Sequence, residues 1–115
     1  LFIAFASMNA KGGVLLSIKT IRRDSKNHAS PNAGWPESAM AGSLNLWLGG
    51  PRHYGNRLRQ AAKLNGDGDN ATGANIYHAL VIMRTALWLF GLALMIFGAP
   101  ALARGMIAGW QMIAG

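Results

Sequence analysis

One polar stretch brings together groups that phosphate and acyl chemistry uses: Arg22, Arg23, Asp24, Lys26 and His28, followed by Glu37. Guanidinium and ammonium groups hold phosphate or carboxylate oxygens, and a carboxylate holds a divalent cation or takes up a proton. Pro36 precedes Glu37, and proline suits the first turn of a helix, where its missing N–H costs nothing. The spacing therefore predicts a helix that starts at Pro36 and carries Glu37 in its first turn. A carboxylate there stabilises the helix by about 0.3–1 kcal/mol, and this alone is a sufficient reason for Glu37. The same geometry also directs a carboxylate and free backbone N–H groups at one point, which suits a phosphate or a metal. The basic run has a plainer reading too, as a solvated face beside anionic lipid, with Asp24 paired to a neighbouring base. Gly49-Gly50-Pro51 reads as a helix stop, which accounts for the glycines and leaves Arg52 unexplained.

The elements that would position these groups look like those of a membrane protein. Charged residues make up 13% of the 115, against about 25% in ordinary soluble domains, while 51% are hydrophobic. From Ala79 to Ala103 Arg84 is the only charge, and a helix of this length crosses roughly 30 Å of hydrocarbon. Trp88 and Trp110 suit interfacial anchors, and the tail after Arg104 is too short to cross again. The opening residues LFIAFASM lack the basic start of a signal peptide and read as the cut end of a longer apolar segment, so the chain is expected to be a fragment. Between the apolar ends lies a polar segment, Lys19 to His78. It holds all four acids and eight of the eleven Lys and Arg residues, which places it on the cytoplasmic side by the positive-inside rule.

Within the polar region Val14, Leu15, Ile18 and Ile21 recur at helical spacing and predict an amphipathic helix along the membrane surface. HASPNAGW reads as loop, ESAMAGSLNLWL as the next helix, and GDGDNATG as turn material; no segment reads as a strand. The expected fold is an all-α integral membrane protein in four parts. These are a truncated apolar segment (1–18), a polar helix-loop-helix (19–78), one complete transmembrane helix (79–103) and a tail (104–115). The absence of cysteine excludes disulfides and thiolate metal sites. The common phosphate-loop, zinc-protease and serine-hydrolase motifs are missing, GDGDNATG lacks the glutamate that closes a calcium loop, and nothing resembles a nucleic-acid-binding module.

The segment RRDSKNHASPNAGWPESAMAGSLNLWLGGPRHYG resembles the signature region of adenosylcobinamide-phosphate synthase, the CobD/CbiB family of cobalamin biosynthesis. The likeness is carried by Arg23-Asp24, His28, Ser30-Pro31-Asn32, Gly34, Pro36-Glu37, Ala39-Met40-Ala41-Gly42, Leu44, Leu48-Gly49-Gly50 and Tyr54-Gly55. After Tyr-Gly the family tends to show Pro-x-[Ile/Leu]-Gly-Asp; here Lys63-Leu64-Asn65-Gly66-Asp67 keeps only Gly-Asp. The resemblance implies a multi-pass protein of the cell membrane, in bacteria the inner membrane, of which this is the C-terminal part. It implies a ligase that joins aminopropanol or its phosphate to a carboxylate side chain of adenosylcobyric acid, using ATP and Mg²⁺. On that reading Arg23, Lys26, His28 and Arg52 bind phosphate or carboxylate, and Asp24 and Glu37 serve as magnesium ligand or base. Gly49 and Gly50 allow close backbone approach, Trp35 and Tyr54 offer flat surfaces to a corrin ring, and Ser30 and Asn32 belong to the substrate-binding motif. The alternatives are a non-catalytic AmpE-like membrane sensing protein and a basic membrane-anchored interaction segment.

Overall fold

The computed structural model describes residues 1–115. Five helices, α1 (Phe2–Ala6), α2 (Gly13–Asp24), α3 (Pro31–Leu44), α4 (Gly73–Ala93) and α5 (Ala99–Ala114), carry most of the chain. A single 3₁₀ turn, Ser25–Asn27, links α2 to α3. Four short strands correct the all-helical expectation: β1 (Leu48–Gly49) pairs antiparallel with β4 (Lys63–Leu64), and β2 (Arg52–Tyr54) with β3 (Arg57–Arg59). Strands of two or three residues, largely polar, are too short to show the alternation by which a strand is read from sequence.

The helix predicted to start at Pro36 starts five residues earlier. Pro31 takes the first helical position, and Ser30 before it is extended, as a residue preceding proline prefers. Pro36 therefore lies inside α3 and Glu37 lies beyond its first turn, so the N-terminal placement of that carboxylate is overturned. An internal proline leaves the carbonyl four residues back without its helical partner. Here that residue is Asn32, which is exposed, so water can satisfy it. Nor does the helix run on to Gly49: it ends at Asn45, whose left-handed backbone (φ 52°) caps the carbonyls of Ala41 and Gly42.

The crossing of α2 and α3 is built from small side chains. The buried residues of α2 are Ser17, Thr20, Ile21 and Asp24, spaced at i, i+3, i+4 and i+7, and they meet Ser38, Ala39, Ala41, Gly42 and Ser43 of α3. The predicted apolar stripe is not the packing face, since only Ile21 of it is buried and Leu15 is 85% exposed. Small residues let the two backbones close up, as they do between helices in membranes. A Cβ on Gly42 would lie 2.6 Å from the Ser17 Cα. Ser17 and Ser43 both donate to the Ala39 carbonyl, at 2.9 and 2.7 Å.

α1 packs on α4, with Phe2 and Phe90 edge to face at 5.5 Å, and a small core of Leu44, Leu46 and Ile82 joins α3 to α4. Beyond that core the chain becomes a rod. Gly73–Ala114 forms one run of helix, 42 residues long, with a mean hydropathy of 2.1 in its most apolar stretch, long and apolar enough to cross a membrane. The predicted span 79–103 lies within it, and the tail continues the helix instead of leaving it. Arg84 and Arg104 bracket an uncharged stretch about 28 Å long at 1.5 Å per residue. A π-helical segment, Leu94–Gly98, interrupts the rod just before Pro100, and the Ala99 N–H reaches back five residues to the Leu94 carbonyl. Such a widened turn beside a proline fits the adjustment by which a helix re-satisfies backbone groups next to a residue that cannot donate.

Candidate functional site

The signature residues divide into two groups. The first sits at the end of α2. Asp24 is buried, and both its oxygens are engaged. Arg23 grips them side-on, Nε to Oδ1 and Nη2 to Oδ2, each at 2.7 Å, and the Asn65 backbone N–H donates to Oδ2 at 2.7 Å. An acid in the last turn of a helix opposes the helix dipole, so this placement depends on the pairing. The Arg23 hydrogen bonds, helped by that of Asn65, outweigh burial and hold the Asp24 carboxyl below the usual carboxylate range. The same pairing raises the Arg23 guanidinium, to which the charge of nearby Asp67 also contributes. Asn65, itself left-handed at φ 52°, sends its side-chain NH₂ to the Leu46 carbonyl at 3.1 Å. The result is a clip that ties α2 to β4 and to the chain leaving α3.

The second group surrounds a cleft of about 630 Å³ between the 3₁₀ turn, α3 and the two ribbons. His28, Glu37, Gly49, Arg52 and Tyr54 line it, and so do Arg59 and Gln60. His28 is anchored through Nδ1, which lies 3.0 Å from the Ser30 N–H. That places Nε2 opposite Glu37, 3.4 Å from Oε2. Glu37 Oε1 has no protein partner. Gly49, at φ 84°, has the left-handed backbone that favours glycine, and a Cβ there would strike the Ala62 carbonyl at 2.3 Å. The neighbouring Gly50 N–H donates to that carbonyl at 3.1 Å. This pair of glycines thus folds the far wall of the cleft against the chain's own backbone.

Other expected site residues lie elsewhere. Asp24 and Arg23 form the clip and are not cleft residues. Lys26, Asn32 and Trp35 are exposed, Trp35 to 59%, and none of them lines the cleft. Ser30 contributes its backbone N–H to His28 and no side-chain cap. Arg59 and Gln60 escaped the sequence reading, because only the β2–β3 hairpin brings them to the cleft. Its signal was the Gly55-Asn56 pair, a two-residue turn between Tyr54 and Arg57.

The donor set forms no all-protein cage for a magnesium ion. Among His, Asp and Glu side chains no three come together. Asp24 has no oxygen to spare, and Glu37 is the one carboxylate in a cleft that also holds Arg52 and Arg59. Such surroundings fit an anion.

The family model for CobD/Cbib protein matches residues 1–83, a span that contains both the clip and the cleft. The chain belongs to the CobD/CbiB family. It is 41% identical over 71 residues to "Cobalamin biosynthesis protein CobD" of Rhodobacter capsulatus, a match covering 62% of this chain and 23% of that protein. The CobD proteins of Brucella anthropi (48% over 59 residues, 51% of this chain and 18% of the relative) and Mycobacterium tuberculosis (41% over 68 residues, 59% and 21%) are similar to it as well. The chain spans about a quarter or less of the length of these CobD relatives. No solved structure matches it.

Proposed function

We propose that the chain forms part of a cobalamin-biosynthetic ligase of the bacterial inner membrane. This enzyme attaches aminopropanol, or its phosphate, to a carboxylate side chain of adenosylcobyric acid. The observation that carries this reading is convergence: His28, Glu37, Gly49, Arg52 and Tyr54, separated in the sequence, line one cleft. In it the chain's own residues divide the work. His28, fixed by the Ser30 N–H, orients Glu37 through Oε2 and leaves Oε1 free to take the proton that the attacking amine must lose. Arg52 holds negative charge on a bound substrate, and Tyr54 offers a flat face to the corrinoid ring. ATP supplies the leaving group that makes a carboxylate acylable.

On this reading the rod Gly73–Ala114 crosses the membrane, one span of a multi-pass protein, and the cleft faces the cytoplasm, where nucleotide is available. The exposed apolar surface of the rod, from Leu87 and Trp88 to Phe97 and Leu102, supports a lipid or helical environment. The test is complementation. The whole gene should restore cobalamin-dependent growth to a strain lacking its synthase and supplied with adenosylcobyric acid, and residues 1–115 alone should fail. No growth with a well-expressed whole-gene product would overturn the reading.

A further inference from the structure

The β2–β3 hairpin places two arginines directly opposite each other. Its register pairs Arg52 with Arg59, His53 with Leu58 and Tyr54 with Arg57. Side chains alternate along a strand, so Arg52, Tyr54, Arg57 and Arg59 share one face, and His53 and Leu58 share the other. Like charges directly opposite on a ribbon repel, and a two-stranded ribbon pairing only with itself is marginal to begin with. Every strand residue of this hairpin is exposed, so no core offsets the repulsion. Neither Arg52 nor Arg59 makes an ion pair, and the cleft's one carboxylate, Glu37, faces His28 instead. Both arginines nonetheless line the cleft. Two guanidinium forks without an ion-pair partner, on one ribbon face and in one cleft, suit a multiply charged anion held between them.

We propose that Arg52 and Arg59 form a clamp for the dianionic phosphate of a soluble phosphate ester, and that the hairpin is a flap ordered by this phosphate. The inference rests on reading the cleft as the reaction site. It adds Arg59 to that site and assigns the hairpin face to phosphate recognition. Two planar forks facing one tetrahedral dianion give several charge-assisted hydrogen bonds, and the bound charge removes the repulsion across the ribbon.

The test uses the chain in phosphatidylcholine nanodiscs with inorganic phosphate as probe and chloride at matched ionic strength as control. Phosphate should slow amide exchange at residues 52–59, and Arg52→Gln and Arg59→Gln should each weaken phosphate binding by about tenfold or more. Arg59→Lys, which keeps the charge and loses the fork, should fall between. Without phosphate, Arg59→Gln should slow exchange in the hairpin, because it relieves the repulsion; a merely structural arginine would do the opposite. His53→Gln, on the other face, should bind phosphate as the parent does. Unchanged binding in the Arg52→Gln/Arg59→Gln double variant would overturn the clamp. Equal protection by phosphatidylglycerol discs without phosphate would also overturn it, by making a lipid headgroup the occupant. Failure here is distinguishable from failure of the proposed function. Amide synthesis by the whole-gene product with unchanged kcat and KM in Arg59→Gln removes the clamp and leaves the function. Phosphate-dependent hairpin protection without amide synthesis keeps the clamp and removes the function.

Discussion

The clip at the end of α2 and the cleft beside α3 each centre on a carboxylate from the same signature, yet the two carboxylates are held in opposite ways. Asp24 has an 8% exposed side chain, three hydrogen bonds and no lone pair directed at a cavity. Glu37 is 46% exposed at its side chain, touches the chain only at Oε2 and opens onto the cleft. Sequence neighbourhood made them look equivalent, as candidates for one metal or one base. What separates them is how many partners the fold has already given each. A fully bonded acid maintains structure, and an acid with a free oxygen beside unpaired arginines is available for chemistry.

The comparison breaks most visibly if Asp24 is removed. Asp24→Ala leaves the Asn65 N–H buried without an acceptor and Arg23 without its partner. Breaking a fully buried pair costs about 3–5 kcal/mol, and the half-solvated Arg23 lowers the expectation here to roughly 3 kcal/mol. Denaturant unfolding of the chain in detergent measures it; a loss under about 0.5 kcal/mol would make the clip ornamental. A smaller effect follows from pH. The folded Asp24 carboxyl titrates below its ordinary value because of Arg23, so its contribution is complete above the unfolded value of about 4. It fades as pH falls below that, through the depressed folded value. The stability gap between parent and Asp24→Ala should therefore be flat from pH 5 to 8 and narrow in stronger acid. A gap that widens on acidification would reverse the sign. Smallest of all is Trp35→Ala: Trp35 is exposed and off the cleft, and its removal should change stability by less than about 0.5 kcal/mol.

Much of this arrangement was legible in the sequence. The apolar run from Ala79 to Ala103 has the length and composition of a spanning helix, and the helical run Gly73–Ala114, with its π-helical turn, contains it. The motif order Asp24, His28, Glu37, Gly49, Arg52, Tyr54 gave the family, and all of these but Asp24 line the cleft. Three features were hidden for physical reasons. Two prolines competed for one helix start, and the rule that proline suits the first turn applies to Pro31, with Pro36 tolerated on an exposed face. Helix α2 was judged by its large apolar residues, whereas the packing face is Ser17, Thr20, Ile21 and Asp24, small enough to admit Gly42 of α3. The partnership of Asp24 with Asn65 joins residues 41 positions apart, and local periodicity carries no information about it.

The central proposal is that Glu37, and not Asp24, carries the proton chemistry. It is tested most directly by Glu37→Gln in the whole-gene product, with amide synthesis and thermal unfolding measured on the same preparation. The structure predicts an unfolding midpoint close to that of the parent, since Glu37 lies on a half-exposed face with one long contact to His28. It also predicts a loss of turnover of about 10²–10⁴-fold, the usual range for a positioned general base. Near-normal turnover by a fully folded Glu37→Gln enzyme would contradict it.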